Sequence, residues 1–256
     1  MARLHVVERG NSSAPTLVLV HALGTDHRFW DEAVADLSHD FHCVTPDLQA
    51  AGQTPIPPSP VDADRHAADL AEMIHERDLG RVVLAGCAIG GMVAAICAAN
   101  NPDVCAGLVM TNPGLRNQDA VKEMLRARTD EVRAHGMAVL LPGAPEKSFH
   151  EMPRDARYER YVERYGALDP EGYASSVLGF LDIDIRPVLP RLKCPLLLIP
   201  GGKDILMPAE GAGEIAGRVP HAEIVPFDDV AHFIPYQAPE RFAAELRRFA
   251  REKAAW

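Results

Sequence analysis

One stretch of this chain has the residue types and spacing of a catalytic turn. Over residues 82–95, an apolar run meets Gly86 and Gly90 and continues as an alanine-rich run. Strand, sharp turn and helix in this order are the context of a G-x-S-x-G nucleophile turn, in which strand and helix approach too closely for side chains at the glycines. The central residue is Ala88. The sequence therefore predicts the scaffold of a nucleophile turn, but alanine lacks the hydroxyl oxygen that would attack a substrate.

Two further residues complete the pattern of a nucleophile, an acid and a histidine. Asp204 lies in a Gly-x-x-Asp-x-x-x-Pro turn over residues 201–208, after an apolar strand, and His232 lies in a loop after the last predicted strand. A carboxylate in this place holds an imidazole so that Nε2 is free to accept a proton. Either residue alone would read as an ordinary loop residue. With the turn at position 88 they predict a triad of Ala88 (nucleophile position), Asp204 and His232.

Acyl transfer also needs two backbone N–H groups directed at the developing oxyanion. One is predicted from Ile89, at the amino terminus of the helix that follows position 88, where the helix dipole helps. The other is predicted from the loop after an early strand, most simply from Leu23, and His21 is expected to orient that loop. Neither group depends on the side chain at position 88.

The remaining elements indicate how these residues are positioned. Short apolar runs alternate with helical patterns up to residue 114, which is typical of a mostly parallel sheet covered by helices on both faces. From 115 to 190 the pattern is helical and highly charged, and the alternation resumes after 190. We therefore predict an α/β fold with a core formed by residues 1–114 and 191–256 and a helical cap over residues 115–190.

Composition narrows the partners and the location. A formal net charge of -10 argues against binding to nucleic acid or to an anionic membrane. No apolar run approaches the length of about 20 residues that spans a membrane, and the amino terminus does not resemble a signal peptide. The five scattered cysteines suit reduced thiols in the cytoplasm and show no zinc-ligand spacing. We expect a cytoplasmic protein with a small-molecule substrate and neither cofactor nor metal, and a homo-oligomer remains open.

These motifs resemble the α/β-hydrolase superfamily over the full length of the chain. More narrowly, the sequence resembles the 3-oxoadipate enol-lactonase group, and four segments carry that resemblance: 23–26 with Trp30, 86–92, 132–137 and 169–173. It departs from the family at Ala88, where relatives carry serine, at residues 48–52, where relatives often have an arginine-glycine-histidine-glycine turn, and at residues 233–235. The resemblance implies hydrolysis of an ester or lactone.

A carboxylated enol-lactone would require a cation in the cap. Arg126 and Arg133 are seven residues apart and would share a helix face, although neighbouring acidic residues allow a solvated face as well. Cys87, Phe149 and Phe233 are further candidates for the substrate pocket, the first as part of its wall beside position 88.

Ala88 has three interpretations. In the first, it is an engineered replacement of serine. In the second, the nucleophile was lost naturally, which leaves either a binding protein or a protein whose chemistry depends on His232. In the third, Cys87 is the nucleophile and Ala88 takes no part. A thiol is intrinsically the better nucleophile, but Cys87 precedes the apex of the turn and should not point at His232. Hydrolysis of a C–C bond in a diketone would use the same triad. A haloalkane dehalogenase fits less well because it needs a carboxylate at position 88.

Overall fold

The computed structural model describes residues 3–256. A seven-stranded sheet forms its centre, with the strand order β1-β3-β2-β4-β5-β6-β7. Its strands are β1 (Val6–Arg9), β2 (Thr16–Val20), β3 (His42–Pro46), β4 (Val82–Cys87), β5 (Cys105–Thr111), β6 (Leu196–Ile199) and β7 (Ala222–Ile224). β1 pairs antiparallel with β3, and all the other pairs are parallel.

Helices cover both faces of this sheet, and three short 3₁₀ helices (His27–Trp30, Met137–Leu140 and Leu189–Arg191) accompany them. The α-helices are α1 (Asp31–Leu37), α2 (Ala63–Glu76), α3 (Ile89–Asn100), α4 (Asp119–His135), α5 (Gly143–Ser148), α6 (Ala156–Gly166), α7 (Pro170–Gly179), α8 (Glu210–Arg218), α9 (Ile234–Gln237) and α10 (Pro239–Glu252). The predicted fold class, a mostly parallel sheet flanked by helices, is confirmed. No helix within residues 3–256 has the length and apolar character needed to cross a membrane.

The apolar sequence of β4 follows from its central position. Every residue of the strand is buried, because β2 and β5 flank it and helices cover both faces. Val82 and Leu84 pack into the core cluster on one face, whereas Val83 and Ala85 pack into the cluster on the other. Position 88 thus follows the carboxyl end of a strand that is buried throughout.

The segment between β5 and β6 contains the helices α4 to α7. α4 packs against α7. Tyr161 and Tyr165 of α6 and Tyr173 of α7 are buried in the same apolar cluster as Ala88. These helices therefore lie above the carboxyl ends of the strands. We keep the name cap for residues 115–190.

Element boundaries differ modestly from the sequence-based expectations. The sequence pattern predicts the first strand over residues 4–7 and the last over 223–226, and the structure has them at Val6–Arg9 and Ala222–Ile224. It predicts helices over 62–77 and 239–252, and these lie at Ala63–Glu76, with Asp62 as its N-cap, and at Pro239–Glu252. The two edge strands deviate more because fewer of their side chains are buried.

The close approach of α3 to the sheet predicts a large cost for a side chain at Gly90. A Cβ there would lie 2.3 Å from the backbone oxygen of His21 and 2.4 Å from that of Val20. We expect Gly90→Ala to reduce the free energy of unfolding by about 3 kcal/mol, measured by urea denaturation. Gly213→Ala in α8 is the control, since nothing lies within 4 Å of its added Cβ. It should be neutral or stabilising by up to about 1 kcal/mol, and equal losses in the two variants would contradict the packing argument.

Candidate active site

The turn between β4 and α3 holds residue 88 in a strained backbone conformation. Ala88 has φ 51° and ψ −118°, a positive φ that is uncommon for a residue with a Cβ. A Cβ on Gly86 would lie 2.4 Å from backbone atoms of Gly90, so only glycine permits this proximity. The Ala88 N–H donates to the carbonyl of Thr111 on β5 at 2.9 Å. The structure therefore has the strand–turn–helix geometry predicted for position 88.

Asp204 and His232, which are far apart in sequence, form a hydrogen-bonded pair. His232 Nδ1 lies 2.9 Å from Asp204 Oδ2, and both residues are buried. The second carboxylate oxygen accepts the backbone N–H groups of Leu206 and Met207 at 2.8 and 2.9 Å. His232 Nε2 makes no hydrogen bond within residues 3–256. This arrangement fixes the imidazole and leaves Nε2 able to accept a proton.

The carboxyl group of Asp204 is held in its ionised form. Burial disfavours the charge and would raise the pKa of Asp204, but the charge and hydrogen bond of His232 oppose it, followed by the two backbone donors. Their sum holds the pKa of Asp204 below its usual range. An ionised acid beside His232 is the state that stabilises an imidazolium.

Asn112 joins the acid, the histidine loop and the nucleophile strand, a role that we did not predict from the sequence. Its Nδ2 donates to Asp204 Oδ2 at 3.0 Å and to the carbonyl of Ala231 at 2.8 Å. Its Oδ1 accepts the backbone N–H of Ile234 at 3.3 Å. Asn112 is fully buried and directly follows β5 with a φ of 50°. The sequence feature that could have predicted this role is a polar residue at the carboxyl end of the strand next to β4.

The two predicted oxyanion donors have no partner within residues 3–256, where neither the Leu23 N–H nor the Ile89 N–H donates a hydrogen bond. Ile89 is the first residue of α3. The loop that carries Leu23 is held by His21, whose Nδ1 contacts the carbonyl of Ala22 at 2.9 Å and whose Nε2 accepts the N–H of Leu48 at 3.0 Å. Thr25 Oγ1 donates to the same carbonyl at 2.8 Å. Both amides are thus free to receive an oxyanion.

The cap and the histidine loop meet in an aromatic cluster. Phe233 lies beside His232, with ring centroids 4.9 Å apart, and its ring is 5.2 Å from that of Tyr161. Phe149 packs on Tyr161 at 5.3 Å. The carbonyl of Ser148 accepts the His232 N–H at 3.2 Å, so the cap also contacts the histidine loop directly. The structure brings Phe149 and Phe233 together next to His232.

The arginines expected to face the substrate lie elsewhere. Arg126 and Arg133 do share a face of α4, as their spacing predicted, but that face is exposed. Arg133 pairs with Glu171, with its Nη2 2.6 Å from Oε1. Arg128 lies on the opposite, half-buried face, where its Nη1 is 3.4 Å from the hydroxyl of Tyr173. Burial alone would lower the pKa of Arg128, but Tyr173, Tyr165 and Tyr161 leave it raised, so the group stays cationic.

Cys87 is placed beneath the histidine loop, which differs from its expected place in the pocket wall. Its side chain is fully buried, and Sγ lies 3.7 Å from Asn112 Oδ1 and 3.6 Å from the carbonyl of His232. Burial raises the pKa of the Cys87 thiol. Since the thiolate is the reactive form, and since Sγ contacts the backbone and not the imidazole of His232, this geometry opposes Cys87 as nucleophile.

One group of side chains has the composition of a metal site, within the described part of the chain. His5, His27 and Asp47 offer ligand atoms within 4.8 Å of one another. Both imidazoles contact the Asp47 carboxylate through Nδ1 at 2.9 Å, and the backbone N–H groups of His27 and Gln53 also donate to it at 2.7 and 2.9 Å. The carboxylate is satisfied by these contacts, and the cluster links three segments that are distant in sequence.

Comparisons with known proteins cover nearly the whole chain. The family profile described as alpha/beta hydrolase fold matches residues 15–239. The chain is 21% identical over 249 residues to 3-oxoadipate enol-lactonase 2 of Acinetobacter baylyi, covering 94% of this chain and 91% of that protein. It resembles a malate-bound thermophilic esterase from Thermogutta terrifontis (27% identity, TM-score 0.86, 97% and 93% covered). It also resembles the enol-lactonase from Burkholderia xenovorans (25% identity, TM-score 0.91, 97% and 96% covered).

The contacts of Asn112 predict a strong effect of its removal on stability. Asn112→Ala leaves the carbonyl of Ala231 and the N–H of Ile234 buried without this partner, so we expect a loss of about 2–4 kcal/mol in the free energy of unfolding. The control is Asn101→Ala, because Asn101 is half-buried and its side chain bonds only the carbonyl of Cys97. That change should cost less than about 1 kcal/mol. Urea denaturation measures both, and similar values would contradict the central role of Asn112.

The lowered pKa of Asp204 predicts a pH-dependent contribution to stability. A carboxyl group with a depressed native pKa stabilises the fold fully above its unfolded pKa of about 4 and loses that contribution as the pH falls through the native value. The destabilisation caused by Asp204→Asn should therefore be largest near neutral pH and shrink below about pH 4. Urea denaturation of both proteins from pH 3 to pH 7 tests this, and a constant difference would contradict it.

Proposed function

The chain belongs to the α/β-hydrolase fold family. On that premise we propose that it is a serine-type hydrolase of small carboxylated esters or lactones, in which Ala88 occupies the position of the nucleophile. One observation carries the proposal. Ala88 retains the positive φ of a nucleophile position while His232 and Asp204 are paired at 2.9 Å. Names of similar proteins, 3-oxoadipate enol-lactonase and a malate-bound esterase, support an enol-lactonase-like activity on a carboxylated substrate.

With serine at position 88, these residues support acyl transfer. The hydroxyl oxygen attacks the carbonyl carbon while His232 Nε2 takes the hydroxyl proton. The Leu23 and Ile89 N–H groups hold the oxyanion of the tetrahedral intermediate. The intermediate collapses with cleavage of the C–O bond, and the leaving oxygen takes the proton from His232. Water then attacks the acyl group with His232 again as base, which releases the acid and restores the serine.

With alanine at position 88, the chain cannot form the acyl intermediate. Alanine removes the oxygen but leaves both amides and the acid–histidine pair in place. Loss of the nucleophile costs on the order of 10⁶ in kcat in subtilisin. We therefore expect near inactivity as a hydrolase.

A second candidate rests on the free Nε2 of His232. This atom has no hydrogen-bond partner within residues 3–256, so it can take a proton from a water molecule or from a bound ligand without a nucleophile at 88. A natural chain of this kind would bind a small ligand or act through His232 alone. C–C bond hydrolysis by the serine form differs from lactone cleavage only in its products.

Restoring the hydroxyl tests the proposal directly. We expect Ala88→Ser to raise kcat/KM for 4-nitrophenyl acetate by about 10⁴ or more over the parent chain, and to hydrolyse a carboxylated enol-lactone. Adding His232→Ala should abolish the gain because no base remains. Ala88→Gly is the matched control without a hydroxyl. If Ala88→Ser stays at the parent rate, the triad is not functional and the second candidate is favoured.

A further inference from the structure

Arg128 is a cation that the fold turns inward. It lies on the same side of α4 as Leu125, Thr129 and Val132, which are buried, and it is itself half-buried. The side chains of Arg126 and Arg133 on the same helix point to solvent. The position of Arg128 thus follows from the apolar stripe of α4 and not from a general basic surface.

No acidic group balances this cation in the described part of the chain. Within residues 3–256, no carboxylate lies within 4.0 Å of Arg128, and its one hydrogen bond goes to Tyr173. The half-buried Arg157 and Arg160 of the cap are paired with a carboxylate, that of Glu32. Arg126 also lacks a partner, but water solvates it. Burying a charge without a counter-charge is costly, and in a chain with 36 acidic residues the lack of one here is notable.

The phenols around Arg128 connect it to the predicted oxyanion site. The hydroxyls of Tyr173 and Tyr165 are 3.1 Å apart. A Cβ on Gly24, which follows Leu23, would lie 2.8 Å from Tyr165 Cε2 and 3.4 Å from Tyr173 Cε2. On the other side, Tyr161 packs on Phe233 beside His232. Through these tyrosines, Arg128 is linked to the loop that carries Leu23 on one side and to the histidine loop on the other.

We infer that Arg128, together with the hydroxyls of Tyr173 and Tyr165, binds a carboxylate of the substrate, placed away from the carbonyl that is attacked. A ligand carboxylate supplies the negative charge that Arg128 lacks. Its oxygens can accept hydrogen bonds from two N–H groups of the guanidinium and from the O–H of a phenol. The inference rests on the proposed function for the reacting end of the ligand. It assigns the class of ligand, a small keto or ester carboxylate, to a specific set of cap residues.

Binding to the parent chain tests this without turnover. Calorimetry with 5-oxohexanoate should show binding that Arg128→Met weakens about 10- to 100-fold, the range of a charge-assisted hydrogen bond. Arg133→Met is the matched control on the exposed face and should bind as the parent does. The uncharged ketone 2-hexanone should not distinguish the variants. Equal losses in the two variants, no loss in Arg128→Met, or no binding by the parent would overturn the inference.

Stability and kinetics separate a binding role from a structural one. Because no carboxylate is paired with Arg128, its removal leaves no buried charge without a partner. Arg128→Met should therefore leave the midpoint of urea unfolding unchanged or raised. In the Ala88→Ser background, Arg128→Met should lower kcat/KM about 10- to 100-fold for mono-4-nitrophenyl glutarate, which carries a free carboxylate, and little for 4-nitrophenyl acetate. A lowered midpoint with equal losses on both esters would mean a structural role and overturn the inference.

The two proposals fail in different ways. If Ala88→Ser is inactive on both esters while Arg128→Met still weakens the binding of 5-oxohexanoate to the parent chain, the hydrolase proposal fails and the carboxylate site stands. If Ala88→Ser is active on both esters and Arg128→Met changes neither, the hydrolase proposal stands and the carboxylate site fails.

Discussion

The close contact of β4, α3 and β2 at two glycines is the constraint on which the site depends. Gly86 and Gly90 lie so near to each other and to the backbone of Val20 and His21 that no Cβ fits at either. This contact forces a sharp turn, which holds residue 88 at positive φ and places the Ile89 N–H at the start of α3. Because backbone packing imposes the turn, it is independent of the side chain at 88. The turn therefore keeps its shape with alanine at position 88.

A second layer of order comes from polar groups at the carboxyl ends of neighbouring strands. Asn112 after β5, Asp204 after β6 and His232 after β7 meet because parallel strands end at one edge of the sheet. Asn112, Asp204 and His232 are each hydrogen-bonded to a residue of another loop, so removing one side chain leaves a partner unsatisfied. This mutual dependence explains how three loops, separated by up to 120 residues of chain, hold an imidazole in one orientation.

In the proposed hydrolase, the cap provides specificity by a different means. Its helices contribute the tyrosines and Arg128, while Asp204 and His232 provide the general acid–base chemistry. An apolar and phenolic enclosure lowers the local dielectric, which strengthens the attraction of Arg128 for an anion. The paired arginines on the outer faces contribute little of this kind because water screens them. In the proposed function, reaction type and substrate choice thus depend on separate parts of the chain.

The sequence by itself determined the alternation of strand and helix, the turn at Gly86–Gly90, the order of position 88, Asp204 and His232, and the helical character of the cap, because each is encoded in local period or spacing. Tertiary structure alone decided which face of α4 is buried. The seven-residue spacing of Arg126 and Arg133 correctly put them on one face, but a charged helix does not say which face is buried, and Arg128 took that place. The role of Asn112 and the burial of Cys87 likewise depend on contacts between distant segments, for which no local pattern exists.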